Sequence, residues 1–128
     1  EVQIQCTANH LELLKKGNWD VYVSAFVSAP TGDPEYFFTT HCVQDSSKNR
    51  GGYYSETFEM LEQQLSGEFD TEKRTELAIE MTQTLLDDHM FFFASHLKMS
   101  MVSGEGVTGL TAHPCDYYEI TVNLDKNK

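Results

Sequence analysis

The 128 residues suffice for one domain with a real core and are too few for two. The apolar share is ordinary for a globular domain. The formal net charge of −11 argues against nucleic-acid binding, which sets clustered Lys and Arg against phosphates. The only adjacent Lys/Arg pairs are Lys15-Lys16 and Lys73-Arg74, and the acidic excess reads most simply as a solvated surface. Cys6, Cys42 and Cys115 are odd in number and widely spaced, without a CxxC; this excludes a complete disulfide framework and leaves one pair able to bridge. There is no run of about 18 apolar residues, and Glu1-Val2-Gln3-Ile4 has neither the basic start nor the apolar stretch of a signal peptide.

In chain order, Val2, Ile4 and Cys6 alternate with polar residues, the period of a half-buried strand. Asn9 is placed to cap a helix carrying Leu11, Leu13 and Leu14, with Lys15 and Lys16 at its dipole-favoured end and Gly17 as its stop. Residues 20–27 are a near-continuous apolar run, the pattern of a buried parallel strand. Strand, helix and strand together predict a right-handed βαβ crossover, and a crossover this early implies a sheet that needs further strands. The loop from Ser28 to Pro34 leaves the C-terminal end of the second strand, where open α/β sheets bind ligands. Asp33-Pro34 then starts a short helix that gathers Tyr36, Phe37 and Phe38.

Residues 44–52 are polar, hold Ser46-Ser47 and Gly51-Gly52, and read as a loop. Ser55 caps a helix with Phe58, Leu61 and Leu65 on one face, which Gly67 ends. Asp70 caps a longer helix with Leu77, Met81 and Leu85 on one stripe and Glu76 and Glu80 on the solvent side. Residues 90–94 read as a buried strand, 98–102 as an extended continuation, and 103–106 as a turn. Residues 107–110 and 117–124 are further extended segments, and 125–128 a polar tail. The expected fold class is α/β: a βαβ start and a mixed sheet flanked by helices, in a single domain over 1–128.

The chemistry-bearing residues are sparse. The five histidines show no HExxH or HxH spacing, and Cys6 with His10 straddles a strand end and a helix start. His89 and His96 flank an apolar strand and read as structural imidazoles. His41, just past the helix that follows the ligand-side loop, and His113, in the loop before Pro114, are the two placed to reach a bound metal. No Gly-x-Ser-x-Gly elbow or phosphate loop is present. Cys42 adjoins His41, but adjacent helical residues point about 100° apart and rarely form a nucleophile–base pair. Asp87-Asp88 reads as a solvated helix cap, and Tyr53-Tyr54 and Tyr117-Tyr118 suit a small-molecule pocket or an ordinary sheet surface.

Five segments occur in an order that carries a resemblance: LLKKGNWDVYVSAF, SAPTGDPEYFF, GGYYSETFEMLEQQL, DTEKRTELAIEMTQTLLDD and VTGLTAHPCDYYEIT. Together they resemble the C-terminal region of the peptide/nickel class of ABC-transporter solute-binding proteins, in the nickel- and metallophore-binding branch. The resemblance spans nearly the whole chain. It implies part of a periplasmic-binding-protein-like (type II) lobe, mostly the second lobe of a two-lobed, non-catalytic receptor outside the cytoplasmic membrane. Such a receptor closes around its ligand and hands it to a membrane permease.

The implied ligand is Ni²⁺ chelated by free histidine or a similar small carboxylate, not a catalytic cofactor. A dipeptide or oligopeptide is the alternative. The stretches that match such a site are Ser28, Ala29, Pro30 and Thr31, then Arg50, Tyr53 and Tyr54. Arg50 is suited to hold a chelator carboxylate and the tyrosines to pack on it, with His41 and His113 as metal contacts. A lobe without its partner exposes apolar surface and sheet edges, which favours self-association. A reading from another class is a stand-alone interaction module that uses exposed aromatics and an acidic face.

Overall fold

The computed structural model describes residues 10–96, 98, 100–112 and 121–126. Its elements are α1 (His10–Lys16), α2 (Glu35–His41), α3 (Glu56–Gly67), α4 (Thr71–Asp87), β1 (Val107–Thr108) and β2 (Asp125–Lys126). Helices thus dominate, with a small two-stranded antiparallel sheet that pairs Val107 with Lys126 and Thr108 with Asp125. This is compatible with an α/β class at a coarse level.

The centre of the molecule is the trio α2, α3 and α4. Each of the two longer helices begins with the cap that its sequence announces. The Ser55 hydroxyl accepts from the Phe58 N–H at 3.4 Å, and Asp70 Oδ1 accepts from the Lys73 N–H at 3.0 Å. α3 and α4 fold back on each other through the short link 68–70, and their apolar stripes meet. Phe58, Leu61 and Leu65 interlock with Ala78, Met81 and Leu85, and Phe37, Phe38 and Cys42 from α2 and its end close the core. Phe58, Leu65, Met81, Leu85 and Cys42 are wholly excluded from solvent.

Arg74 ties the three helices together. Its Nη1 donates to the Leu65 and Glu68 carbonyls, each at 2.8 Å, at the end of α3. Its Nη2 reaches Asp33 Oδ2 at 2.8 Å and Glu35 Oε2 at 2.7 Å, at the start of α2. Asp33 also accepts the Glu35 N–H at 3.0 Å through Oδ1, which satisfies a free donor of the first turn of α2. The Gly-Asp-Pro turn and the Glu-Lys-Arg start of α4, two of the segments that carry the resemblance, are therefore joined by one guanidinium.

α4 stops in a Schellman arrangement. The His89 N–H donates to the Leu86 carbonyl and the Met90 N–H to the Leu85 carbonyl, with His89 itself at φ +58°. Asp88 is not merely a solvated cap: its Oδ2 accepts the Tyr53 phenol at 2.7 Å. In α1, Gly17 at φ +66° ends the helix as expected, and the Leu14 carbonyl accepts both the Gly17 N–H and the Trp19 indole. The expected cap Asn9 lies outside the described residues, as does the first expected strand over 2–7.

Two expected strands are not formed. Residues 20–27 carry no ladder; Val21 and Val23 are 83% and 93% exposed, and only Phe26 turns inward to pack on the core. Residues 90–94 are likewise unpaired: Met90 and Phe91 both pack on the core, while Phe92 is 90% exposed. An apolar run becomes a strand only when a neighbouring edge takes up its N–H and C=O groups. Among the described residues the only such edge is the short β1–β2 pair. The βαβ crossover is therefore absent from the described residues. β1–β2 is held very close: Gly109, at φ +77°, would place a Cβ 1.8 Å from the Asn123 carbonyl oxygen. The 117–124 segment is described only from Thr121 on, and its paired residues, Asp125 and Lys126, lie in the expected tail.

Candidate functional site

The residues singled out from the sequence converge in part on one rim, at the end of α2 and in the loop 42–55. That loop, read from sequence only as polar, is built around Asn49. Its Nδ2 donates to the Tyr53 carbonyl at 2.7 Å and to the Val43 carbonyl at 3.2 Å, while Oδ1 accepts the Tyr53 N–H at 3.0 Å. Ser46 Oγ donates to the Thr40 carbonyl, and Gln44 N–H donates to Glu59 Oε1 at 2.8 Å. An amide side chain that supplies both a donor and an acceptor to one residue fixes a loop as a strand pair would. Gly51 sits against Met90, where a Cβ would come within 2.9 Å of the thioether methyl. An Asn in a run of polar residues gives no sequence signal that distinguishes it as such a hub.

His41 lies on this rim with its ring against Phe26, 4.5 Å between centroids, and near Phe37 at 5.5 Å. Burial comes first and the positive charges of Lys48 and Arg50 next in holding its imidazole below the usual range. The imidazole is thus kept in its neutral, lone-pair-bearing form. Burial pushes the Tyr22 phenol up, and the positive charge of Arg50 pulls it back down. Among the described residues neither Lys48 nor Arg50 has a carboxylate partner; the three ion pairs described use Lys73 and Arg74. The rim therefore gathers two cations that have no ion-pair partner among the described residues, an imidazole and aromatic faces, in a chain of strongly negative charge. Tyr22 was not singled out from the sequence. It looked like one residue of a buried strand.

Tyr53 and Tyr54 are separated by the fold. The Tyr53 ring packs on Phe58 at 5.7 Å, and its hydroxyl is committed to Asp88. Burial and that bond push the phenol up to about 12. Tyr54 is exposed. In the preceding turn, Ser28 and Thr31 are exposed, Ala29 is half-buried and Pro30 is buried, with the Gly32 N–H donating to the Ala29 carbonyl at 3.0 Å. His113 lies outside the described residues. No group of three or more His, Cys, Asp or Glu among the described residues is arranged to hold a metal ion.

Cys42 is not the partner of His41. Its side chain points into the core, its thiol contacts the Phe37 carbonyl at 3.9 Å, and burial pushes it up to about 12. A thiol held that high is not an activated nucleophile. No described helix is long and apolar enough to cross a membrane. No family model, curated protein or solved structure matches the chain.

Proposed function

We propose that the chain is the ligand-gripping part of a non-catalytic solute-binding receptor, with Lys48 and Arg50 on the rim as its anion grip. The receptor would be extracytoplasmic and would deliver its cargo to an ABC-importer permease. The resemblance of the five segments supports this reading. The observation that carries it is the pair of cations, without ion-pair partners among the described residues, whose charge acts on the imidazole of His41 where it packs on aromatic rings. Arginine recognises a carboxylate through paired, charge-assisted hydrogen bonds. On the same rim, burial and then the charges of Lys48 and Arg50 hold the His41 imidazole below its usual range, which favours its neutral form.

The cargo that fits is a carboxylate-bearing chelate of nickel, such as Ni²⁺ with free histidine. The finer architecture proposed is a periplasmic-binding-protein-like type II lobe, closed by a second lobe whose approach buries the rim. The unpaired apolar segments 20–27 and 90–94 support it, since they have the composition of sheet strands and no sheet partner among the described residues.

Nuclear magnetic resonance with the isotope-labelled chain tests the proposal. Paramagnetic Ni²⁺ with histidine should broaden amide signals of residues 28–31, 41, 48–50 and 53 before any others, and Arg50→Ala should remove the effect. A dipeptide that shifts the same signals while nickel–histidine does not would replace the chelate with a peptide cargo. Broadening that ignores Arg50, or that follows bare Ni²⁺ at scattered histidines, would refute the grip.

A further inference from the structure

α4 has a second face that the core does not use. Thr75, Ile79, Thr82 and Leu86 follow one another at four, three and four residues, which places them on one stripe about 16 Å long. Ile79 is 65% and Leu86 40% exposed. The Thr75 hydroxyl donates to the Thr71 carbonyl and the Thr82 hydroxyl to the Ala78 carbonyl, both at 2.8 Å. Both hydroxyls are thus satisfied within the helix, which leaves the stripe apolar in character. With Pro34 the stripe lines a shallow groove of about 340 Å³, and Leu86 continues it into a second hollow formed with His89, Phe91 and Phe92.

The charge around this groove is predominantly acidic. Glu72, Glu76, Glu80 and Asp87 are exposed on α4 beside the stripe. Asp33 and Glu35, which share Arg74, adjoin Pro34 in the chain. The two cations of α4 are already engaged, Lys73 with Glu68 and Arg74 with Asp33 and Glu35. We infer that this groove docks a basic amphipathic helix of a partner protein, with apolar residues at i, i+4, i+7 and i+11 along Thr75–Leu86 and Lys or Arg facing the acidic rim. Charge complementarity selects this occupant. The segments 1–9 and 113–120 of the chain carry carboxylates and no Lys or Arg, and a second copy carries the same net charge of −11.

The probes are two synthetic helical peptides of about 18 residues, long enough to cover the stripe. Both have the same leucine seam, flanked in one by Lys and in the other by Glu, and fluorescence anisotropy measures their binding to the chain. The Lys peptide should bind at least ~10-fold tighter, with the advantage shrinking in about 0.5 M salt. Ile79→Glu should weaken it ~10-fold, while a thermal melt shows the exposed substitution has left the fold intact. Glu80→Gln with Asp87→Asn, which spares the apolar seam, should weaken the Lys peptide and not the Glu peptide. Equal binding of the two peptides, or undiminished binding to Ile79→Glu, would overturn the inference. So would sedimentation showing a dimer that Ile79→Glu dissociates, since the occupant would then be a second copy.

Discussion

The helical trio α2–α4 and the apolar segments on either side of it, 20–27 and 90–94, are equally hydrophobic to read and end in opposite states. In the trio, each helix satisfies its own backbone internally, and its apolar stripe needs only one facing stripe to be buried. In the flanking segments the backbone groups need another chain segment at hydrogen-bonding distance, which the described residues do not supply. Aliphatic side chains therefore differ in fate: Leu85 is wholly buried and Val23 almost wholly exposed. Hydrophobicity says that a segment seeks burial; whether it gets there depends on where its backbone hydrogen bonds can go.

The comparison is broken most forcefully at Met81. Met81→Ala removes a side chain with no solvent contact from the α3–α4 seam and should cost about 2–5 kcal/mol in denaturant unfolding. Val23→Ser should change the same midpoint by less than about 0.5 kcal/mol; a larger loss would mean that 20–27 is buried in solution. Next comes Arg74, whose loss removes four contacts: those to the Asp33 and Glu35 carboxylates and to the Leu65 and Glu68 carbonyls, of which Leu65 keeps the Glu68 N–H. Arg74→Ala should cost about 2–3 kcal/mol, and Arg74→Lys should recover only part of it because an ammonium cannot span both helix ends. Full rescue by Lys would reduce the clamp to a point charge.

At the hinge between the two regions, His89 holds a left-handed backbone. His89→Gly should raise stability by about 1 kcal/mol, since glycine takes that conformation without the Cβ penalty. A drop would mean that the ring's contact with the Asp87 carbonyl, 2.7 Å from Nδ1, outweighs the backbone strain.

The smallest effect is a slope with pH. In the unfolded chain the imidazole of His41 titrates near 6.5, and folding lowers it through burial and then through Lys48 and Arg50. Below 6.5 the unfolded state binds more protons, so acid favours unfolding. The stability tied to a neutral His41 is complete above 6.5 and is lost as pH falls through the lowered folded value. His41→Gln should flatten that part of the stability–pH curve, read by thermal melts between about pH 7 and 5. An unchanged slope would place the titration elsewhere.

Much of the trio was legible in the sequence because its signals are local. Ser55 and Asp70 announce the starts of α3 and α4, Gly67 the end of α3, and the spacing of Phe58, Leu61, Leu65, Met81 and Leu85 the faces that meet. The strands over 20–27 and 90–94 were misread because an apolar run reports a tendency to burial without naming a partner edge. Of the rim, His41 and Arg50 were singled out from position and resemblance. Tyr22 and the Asn49 hub were not, since a polar loop residue and one tyrosine in an apolar run carry no local mark of what they will touch. Nor does the sequence mark the bond from the Tyr53 hydroxyl to Asp88, 35 residues away.

By itself, then, the sequence determined the helices, their caps and their apolar faces, because each of those depends on residues within about four positions of one another. Only the tertiary structure decided that Arg74 joins α2 to α3, that Asn49 builds a loop able to carry Lys48 and Arg50, and that Cys42 turns into the core away from His41. Those outcomes depend on which distant segments share space, and on the desolvation and charge they impose there. No spacing along the chain encodes either.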